Sequence, residues 1–350
     1  MTKKIIALML CAACCISFAG CRFHLPIPSN EAKEEFFAMD TYMTLTAYGQ
    51  NSGKAVRAAK NEILELEQLV SATVDTSEIY ELNQNGTAVV SEETAHLIEI
   101  SKEYWERTVG YYDITVYPLV EEWGFVSKDF HVPSKERIDE LLPLVGSEKI
   151  EVEDLKDGTY RVTFATEGMK VDLGTIAKGY ASQKAAETFK KYGVDGIINL
   201  GGNVQVVGTK EDGSPWRVAI QKPDKDAEDT EYIGTVDVED CAVTTAGGYE
   251  RYFEEGGVEY RHIFDPQKGA PTKSTLKSVS VIATNGETAD GFDTPLFCMD
   301  KDLAIEYWQM HADEFDVIIV GEDDTIYVSE GIADKFTPKD ENAKVEVLIF

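Results

Sequence analysis

The sequence predicts an α+β fold, and three observations carry that prediction. Helical periodicity dominates early: apolar residues recur near the 3.6 spacing at about Lys54–Leu69, Glu78–Asn83 and Glu92–Thr108. Strand patterns dominate later, where strands mostly follow strands, without the regular intervening helices of a doubly wound parallel sheet. Between them lies one strand–turn–helix–strand unit, Val171 to Asn203.

The chain has 350 residues and a net charge of -30. Lys3-Lys4 and the apolar run Ile5 to Ala19 make residues 1–20 a signal peptide. Phe18-Ala19-Gly20-Cys21 resembles a bacterial lipobox, in which Cys21 is lipidated. The run is short for an uncleaved spanning helix. The expectation is an extracytoplasmic protein, lipid-anchored to the bacterial cell membrane. Residues 21–33 read as a tether and 34–350 as the domain. Removing Lys3 and Lys4 takes the net charge from -30 to -32, which excludes nucleic-acid binding through a basic face. An acidic protein that binds a phosphorylated ligand needs a cation between them. Only Cys241 and Cys298 remain in the body, so there is no disulfide framework or zinc spacing, and two buried free thiols are expected.

Along the domain, Phe36 to Tyr48 partly alternates and reads as a strand, interrupted at Met39-Asp40-Thr41 as by a bulge or site residues. Asn85-Gly86 is a turn. Gly110-Tyr111-Tyr112-Asp113 leads into a loop holding Pro118 and Trp123. Ser134 is placed to cap a helix that Pro143 stops at about Leu142. Strands are expected at Lys149–Val152, Tyr160–Thr166 and from Lys170 into the central unit. There Gly174 turns the chain into a helix that Gly193 closes. Further strands follow at Val204–Gly208, Trp216–Gln221, Tyr232–Val238 and Ala242–Thr245. A hairpin of Tyr249–Phe253 and Val258–Phe264 comes next, then a strand at Val279–Ala283 and a helix from about Glu287. Pro295, directly after Thr294, argues for a later start to that helix. The end holds a helix near Leu303–His311, strands at Val317–Val320 and Ile326–Ser329, and a tail at Val345–Phe350.

Four stretches suggest chemistry. The glycine turn before the central helix, with Asp172 and Lys178 beside it, suits an anion at a helix N-terminus or a tightly packed connection. It is neither a Walker loop nor a G-x-G-x-x-G fingerprint. On a helix, Asp290, Asp293 and Thr294 share one face, offering hard oxygen ligands to Mg²⁺ or Ca²⁺, or else a solvated acidic helix start. In Tyr260-Arg261-His262-Ile263-Phe264, strand alternation puts His262 and Phe264 on one face, and His262 is a candidate general base or a structural histidine. Thr244-Thr245-Ala246-Gly247-Gly248-Tyr249 is a small-residue turn beside that hairpin.

These stretches, with MDTYMTLTAYG from Met39, SEIYELNQ, GYYDITVYPLVEEWGF, INLGGN and ADGFDTPLF from Ala289, occur in one order. In that order the chain resembles the ApbE-type FAD:protein FMN transferases over most of its mature length. The resemblance implies an ApbE-like fold of mixed and antiparallel sheets with flanking helices, in two lobes with the FAD site between them. It also implies Mg²⁺-dependent cleavage of FAD, transfer of FMN to a threonine hydroxyl of another protein, and release of AMP. The implied acceptor is a flavoprotein with a Ser/Thr-Gly-Ala-Ser/Thr-like motif, such as a subunit of a membrane redox pump. Matched by motif, Met39, Tyr111, Tyr112, Asp113, Asp172, Lys178 and Phe264 fall on FAD-contacting positions. Thr73 stands where many members have tyrosine. Asp290, Asp293, Thr294 and the carbonyl of Thr175 fall on metal positions, and His262 on the proposed base. Two other readings use the same residues: a pyrophosphatase hydrolysing FAD to FMN and AMP, and a flavin-binding lipoprotein without chemistry.

Overall fold

The computed structural model describes residues 30–350 apart from 229 and 250. The signal peptide, Cys21 and most of the tether lie outside the described residues. The first strand begins at Glu31, so residues 31–33 belong to the fold rather than to the tether. Glu31–Phe350 packs as one compact unit.

The main sheet has nine strands: β1 Glu31–Ala38, β2 Thr41–Tyr48, β3 Asp195–Leu200, β4 Asn203–Val207, β5 Ala242–Gly247, β6 Leu276–Ala283, β7 Phe315–Gly321, β8 Ile326–Ser329 and β9 Val345–Leu348. They stand in the sheet in chain order. Neighbours are antiparallel except β8 and β9, which are parallel. The helices are α1 Ser52–Val70, α2 Glu78–Asn85, α3 Glu92–Arg107, α4 Tyr117–Glu122, α5 Lys135–Leu141, α6 Ala177–Tyr192, α7 Gly286–Cys298 and α8 Lys301–Met310. No described helix is long and apolar enough to cross a membrane.

One sheet face buries Met43, Leu45, Ala242 and Val281 with Ile63, Phe189 and Phe292 from α1, α6 and α7. The opposite face buries Val204, Val206, Val243 and Ile282 against a three-stranded sheet of Trp216–Gln221, Tyr232–Val238 and Phe336–Pro338. There Trp216, Val218 and Ile220 point inward while Arg217 and Ala219 stay exposed, the period of two that marked this strand in the sequence. Two covered faces explain why all five residues of β4 are buried. The helix ends follow the sequence signals: the Ser134 hydroxyl accepts the Arg137 N–H at 3.2 Å, and Gly86 and Gly193 close α2 and α6 at φ 71° and 65°.

Five local differences have physical causes. The stretch read as one interrupted strand is a hairpin, β1–β2, with Met39 and Asp40 as its two turn residues at φ 48° and 57°. A two-residue hairpin turn needs that left-handed backbone, usually supplied by Asn or Gly, so Met-Asp gave no turn signal. No strand precedes the central helix: the Asn83 side chain takes the place of a neighbouring strand, donating to Val171 O (2.8 Å) and accepting from Val171 N (2.8 Å). The loop after Asp113 contains α4, with Pro118 in its first turn, where a missing N–H costs nothing. α7 begins at Gly286 and runs through Pro295, which lies close enough to the helix end for the helix to close beyond it. The glycine hairpin pairs Tyr252–Glu255 with Val258–Arg261, so the alternation stops before His262, and Ile263 and Phe264 are both buried.

Candidate functional site

The site is built where α6 crosses α7. A Cβ on Gly179 would come within 2.3 Å of Gly286 O, and one on Gly286 within 2.1 Å of Gly179 O. Only glycine at both positions permits this approach. The crossing brings Asp290 to the start of α6, where its Oδ2 accepts the Gly179 N–H at 2.7 Å. That N–H is one of those left unpaired at a helix start, so the helix N-terminus holds a carboxylate of the protein itself. The anion expected at the glycine turn is therefore supplied, at Gly179, by Asp290.

Asp290 and Asp293 are both buried, one turn apart on α7. Burial raises the pKa of Asp290, opposed by the Lys178 charge and the Gly179 N–H. Asp293 is pushed well above the ordinary carboxylate range by burial and then by the Asp290 charge. Thr294 donates its hydroxyl to Asp293 Oδ1 at 3.0 Å. Two like charges buried together are stable only with a cation or a proton between them. Among the described residues no three His, Cys, Asp or Glu side chains cluster, so a metal here would have two carboxylates and neutral oxygens. That donor set fits Mg²⁺, which takes one or two carboxylates and completes its shell with water and phosphate oxygens.

Lys178, in the first turn of α6, donates to Gly174 O at 3.2 Å. Its charge helps hold down the pKa values of Asp290, Asp293, Asp172 and His262. Asp172, raised by burial, accepts the Gly174 N–H at 3.3 Å. His262 Nδ1 lies 3.1 Å from Arg251 O. A carbonyl only accepts, so Nδ1 carries the proton and Nε2 keeps its lone pair. Surrounding atoms desolvate the ring and push its pKa down to about 4, although part of its surface stays open to solvent. His262 is therefore neutral near pH 7.

Arg251 also pairs with Asp40 at 3.1 Å, which ties the β1–β2 turn to this cluster, and Met39 N donates to Glu67 Oε1 at 2.6 Å. Met39 and Tyr111 are half-buried, and Thr73 is exposed just beyond α1, hydrogen-bonded to Ser71. Tyr112, Asp113 and Phe264 lie in the interior. The Tyr112 hydroxyl is 3.3 Å from Thr175 Oγ1 and 3.1 Å from Ser101 Oγ, so Tyr112 braces the turn that carries Thr175. Asp113 accepts from Thr115 N (2.8 Å) and Ser147 Oγ (2.8 Å). Phe264 packs edge-on to Trp123 with centroids 6.1 Å apart. Both cysteines are buried and free.

Three residues of the site had no predicted role. Arg251 opens a hairpin whose other strand carries Arg261, and no spacing marks it for a role. Asn203 and Thr244 belonged to stretches singled out in the sequence, but their placement against Asp290 and Asp293 is a tertiary fact. A separate surface depression between Thr275, Asp300, Lys301 and Asp323 shares no residue with the cluster.

Known proteins match this chain along most of its length. An FAD:protein FMN transferase of Vibrio cholerae is 32% identical over 232 residues, 65% of this chain and 67% of the relative. One from Haemophilus influenzae is 29% identical over 87% of this chain and 90% of its own. The alignment with the Escherichia coli enzyme, at 34% identity, spans 62% of each chain. Among solved structures, the Thermotoga maritima ApbE protein superposes with a TM-score of 0.78 at 31% identity, covering 86% of this chain and 97% of that one. The Vibrio cholerae flavin transferase ApbE superposes at 0.73 with 25% identity, covering 91% and 98%. The ApbE family model matches residues 39–319, and the chain belongs to the ApbE family.

Proposed function

We propose that this flavin transferase binds Mg²⁺ at Asp290, Asp293 and Thr294, with the Thr175 carbonyl, and moves FMN from FAD to a threonine of another protein. One observation carries the reading: Lys178 is hydrogen-bonded to Gly174, whose N–H meets Asp172, and stands next to Gly179, whose N–H meets Asp290, so the groups proposed to bind phosphate and metal lie at one helix start. Mg²⁺ bound there supplies charge neutralisation to the pyrophosphate. Lys178 and Arg251 add fixed positive charge on the same side. Neutral His262 presents Nε2 to the threonine hydroxyl and takes its proton. The threonine oxygen bonds to the phosphorus on the FMN side, the bond from that phosphorus to the bridging oxygen breaks, and AMP leaves with that oxygen. Met39, Tyr111 and Asp172 line the approach for FAD.

The acceptor is a flavoprotein carrying a Ser/Thr-Gly-Ala-Ser/Thr-like motif, met outside the cytoplasm. Lipidation at Cys21 holds the enzyme at the membrane beside it. Incubation with FAD and Mg²⁺, with and without a purified acceptor, tests the whole reading. AMP release that requires the acceptor, with the mass of FMN added to it, is the expected result. AMP released equally without acceptor identifies a pyrophosphatase, and no AMP under either condition identifies a binding protein.

A further inference from the structure

Behind the carboxylate pair, the main sheet presents a second pair of polar residues. Asn203 opens β4 and Thr244 lies in β5. The ladder pairs Val243 with Val204 and Ala242 with Gln205, so one step further sets Thr244 opposite Asn203 on the face turned toward α7. Asn203 is 4% exposed and Thr244 1%. Both amide atoms of Asn203 and the Thr244 hydroxyl lack a hydrogen bond of good geometry. Asn203 nevertheless lies near enough to Asp290, and Thr244 near enough to Asp293, to favour their charged forms. Buried polar groups left unpaired are costly, typically about 1–3 kcal/mol each, and call for a role.

The carboxylates show what that role is. Asp290 Oδ2 is held by Gly179 N–H and Asp293 Oδ1 by the Thr294 hydroxyl. These contacts engage one oxygen of each carboxylate, and each has one sheet residue beside it. We infer that Asn203 and Thr244 are positioning residues for the cation site, Asn203 aligning Asp290 and Thr244 aligning Asp293 when a divalent cation is bound. Asn203 and Thr244 are neighbours across the ladder and Asp290 and Asp293 are neighbours along α7, so each sheet residue would steady one carboxylate. This rests on the proposed reading of Asp290 and Asp293 as metal ligands.

Mn²⁺ titration of the FAD-free protein, followed by calorimetry, tests it, with thermal melting of the metal-free protein alongside. Loss of such outer-shell partners typically weakens metal binding about 10–100-fold, which is the shift expected for Asn203→Ala and Thr244→Val. Thr244→Ser keeps the hydroxyl and should restore wild-type affinity. Thr244→Val also removes an unpaired buried hydroxyl, so the metal-free protein should melt no lower than wild type while binding Mn²⁺ more weakly. A residue serving only the fold would not split those two readouts. Wild-type Mn²⁺ affinity in both Asn203→Ala and Thr244→Val overturns the inference. Wild-type protein that binds no Mn²⁺ overturns the metal reading beneath it.

Discussion

At the scale of single residues, the proposed chemistry would rest on two groups, His262 and Asp293, whose protonation the fold sets in opposite ways. Desolvation holds His262 near a pKa of 4, and its Nδ1 contact with the Arg251 carbonyl leaves Nε2 as the free nitrogen. A base works when deprotonated, so transfer should be flat from about pH 6 to 8 and fall as pH drops through about 4. A rate that climbs through the ordinary histidine range near pH 6.5 would contradict this assignment. His262→Ala should slow transfer by about 10²–10⁴ while FAD affinity holds, read from single-turnover kinetics and a binding isotherm. Asp293 goes the other way. Its folded pKa is raised, so as pH rises from the unfolded value of about 3.9 the folded state is the one losing stability. At pH 7 the metal-free protein carries that penalty. Asp293→Asn should therefore raise its melting temperature at pH 7, with the gain shrinking toward pH 4, and should abolish the further rise that Mg²⁺ gives wild type. For Asp290 the informative change is to Asn, because Ala would also strand the Gly179 N–H.

At the scale of elements, the α6–α7 crossing decides the site. Gly179→Ala or Gly286→Ala places a methyl against backbone that cannot turn aside. Overpacking of this kind costs about 1–3 kcal/mol, and here it also moves Asp290 off the helix start. Both variants should melt lower than wild type and lose Mn²⁺ affinity together; a variant that melts lower yet binds Mn²⁺ normally would separate the crossing from the site. The sequence made much of this legible. α6 was readable from its apolar period and Gly193, and the shared face of Asp290, Asp293 and Thr294 from helical spacing alone. The meeting of Gly179 with Gly286 was not, because two glycines in different helices carry no mutual pattern. The same holds for Asn83, whose side chain stands in for a strand beside Val171 from 88 residues away. The surroundings of His262 were not legible: the strand ends at Arg261, and the ring is ordered by Arg251 across the hairpin.

At the scale of the whole molecule, charge governs ligand binding. The chain carries -30, and FAD brings two more phosphate charges to a site with two carboxylates. Like charges at 4 Å repel by about 4 kcal/mol at an effective dielectric of 20, a cost that Lys178 and Arg251 offset only in part. FAD and Mg²⁺ should therefore bind with positive coupling, each tightening the other. Calorimetric titration of FAD with and without Mg²⁺ measures it, and equal affinities would leave Mg²⁺ a purely catalytic ion. Arg251→Ala should weaken FAD binding most when Mg²⁺ is absent, because then it is one of the few positive charges facing the phosphates.

The order of the main sheet has a consequence for when activity can begin during synthesis. Its strands follow the chain, and Met39, Asp172, Lys178, His262 and Asp290 all lie in the connections between them. The start of α6 receives its carboxylate from a residue 111 positions later. A ribosome that has released α6 but not α7 has made Asp172 and Lys178 without the carboxylate pair Asp290 and Asp293. On the proposed reading, such a nascent chain has no pair of acids to hold a divalent ion, and it gains one only when α7, within the last fifth of the polypeptide, has emerged.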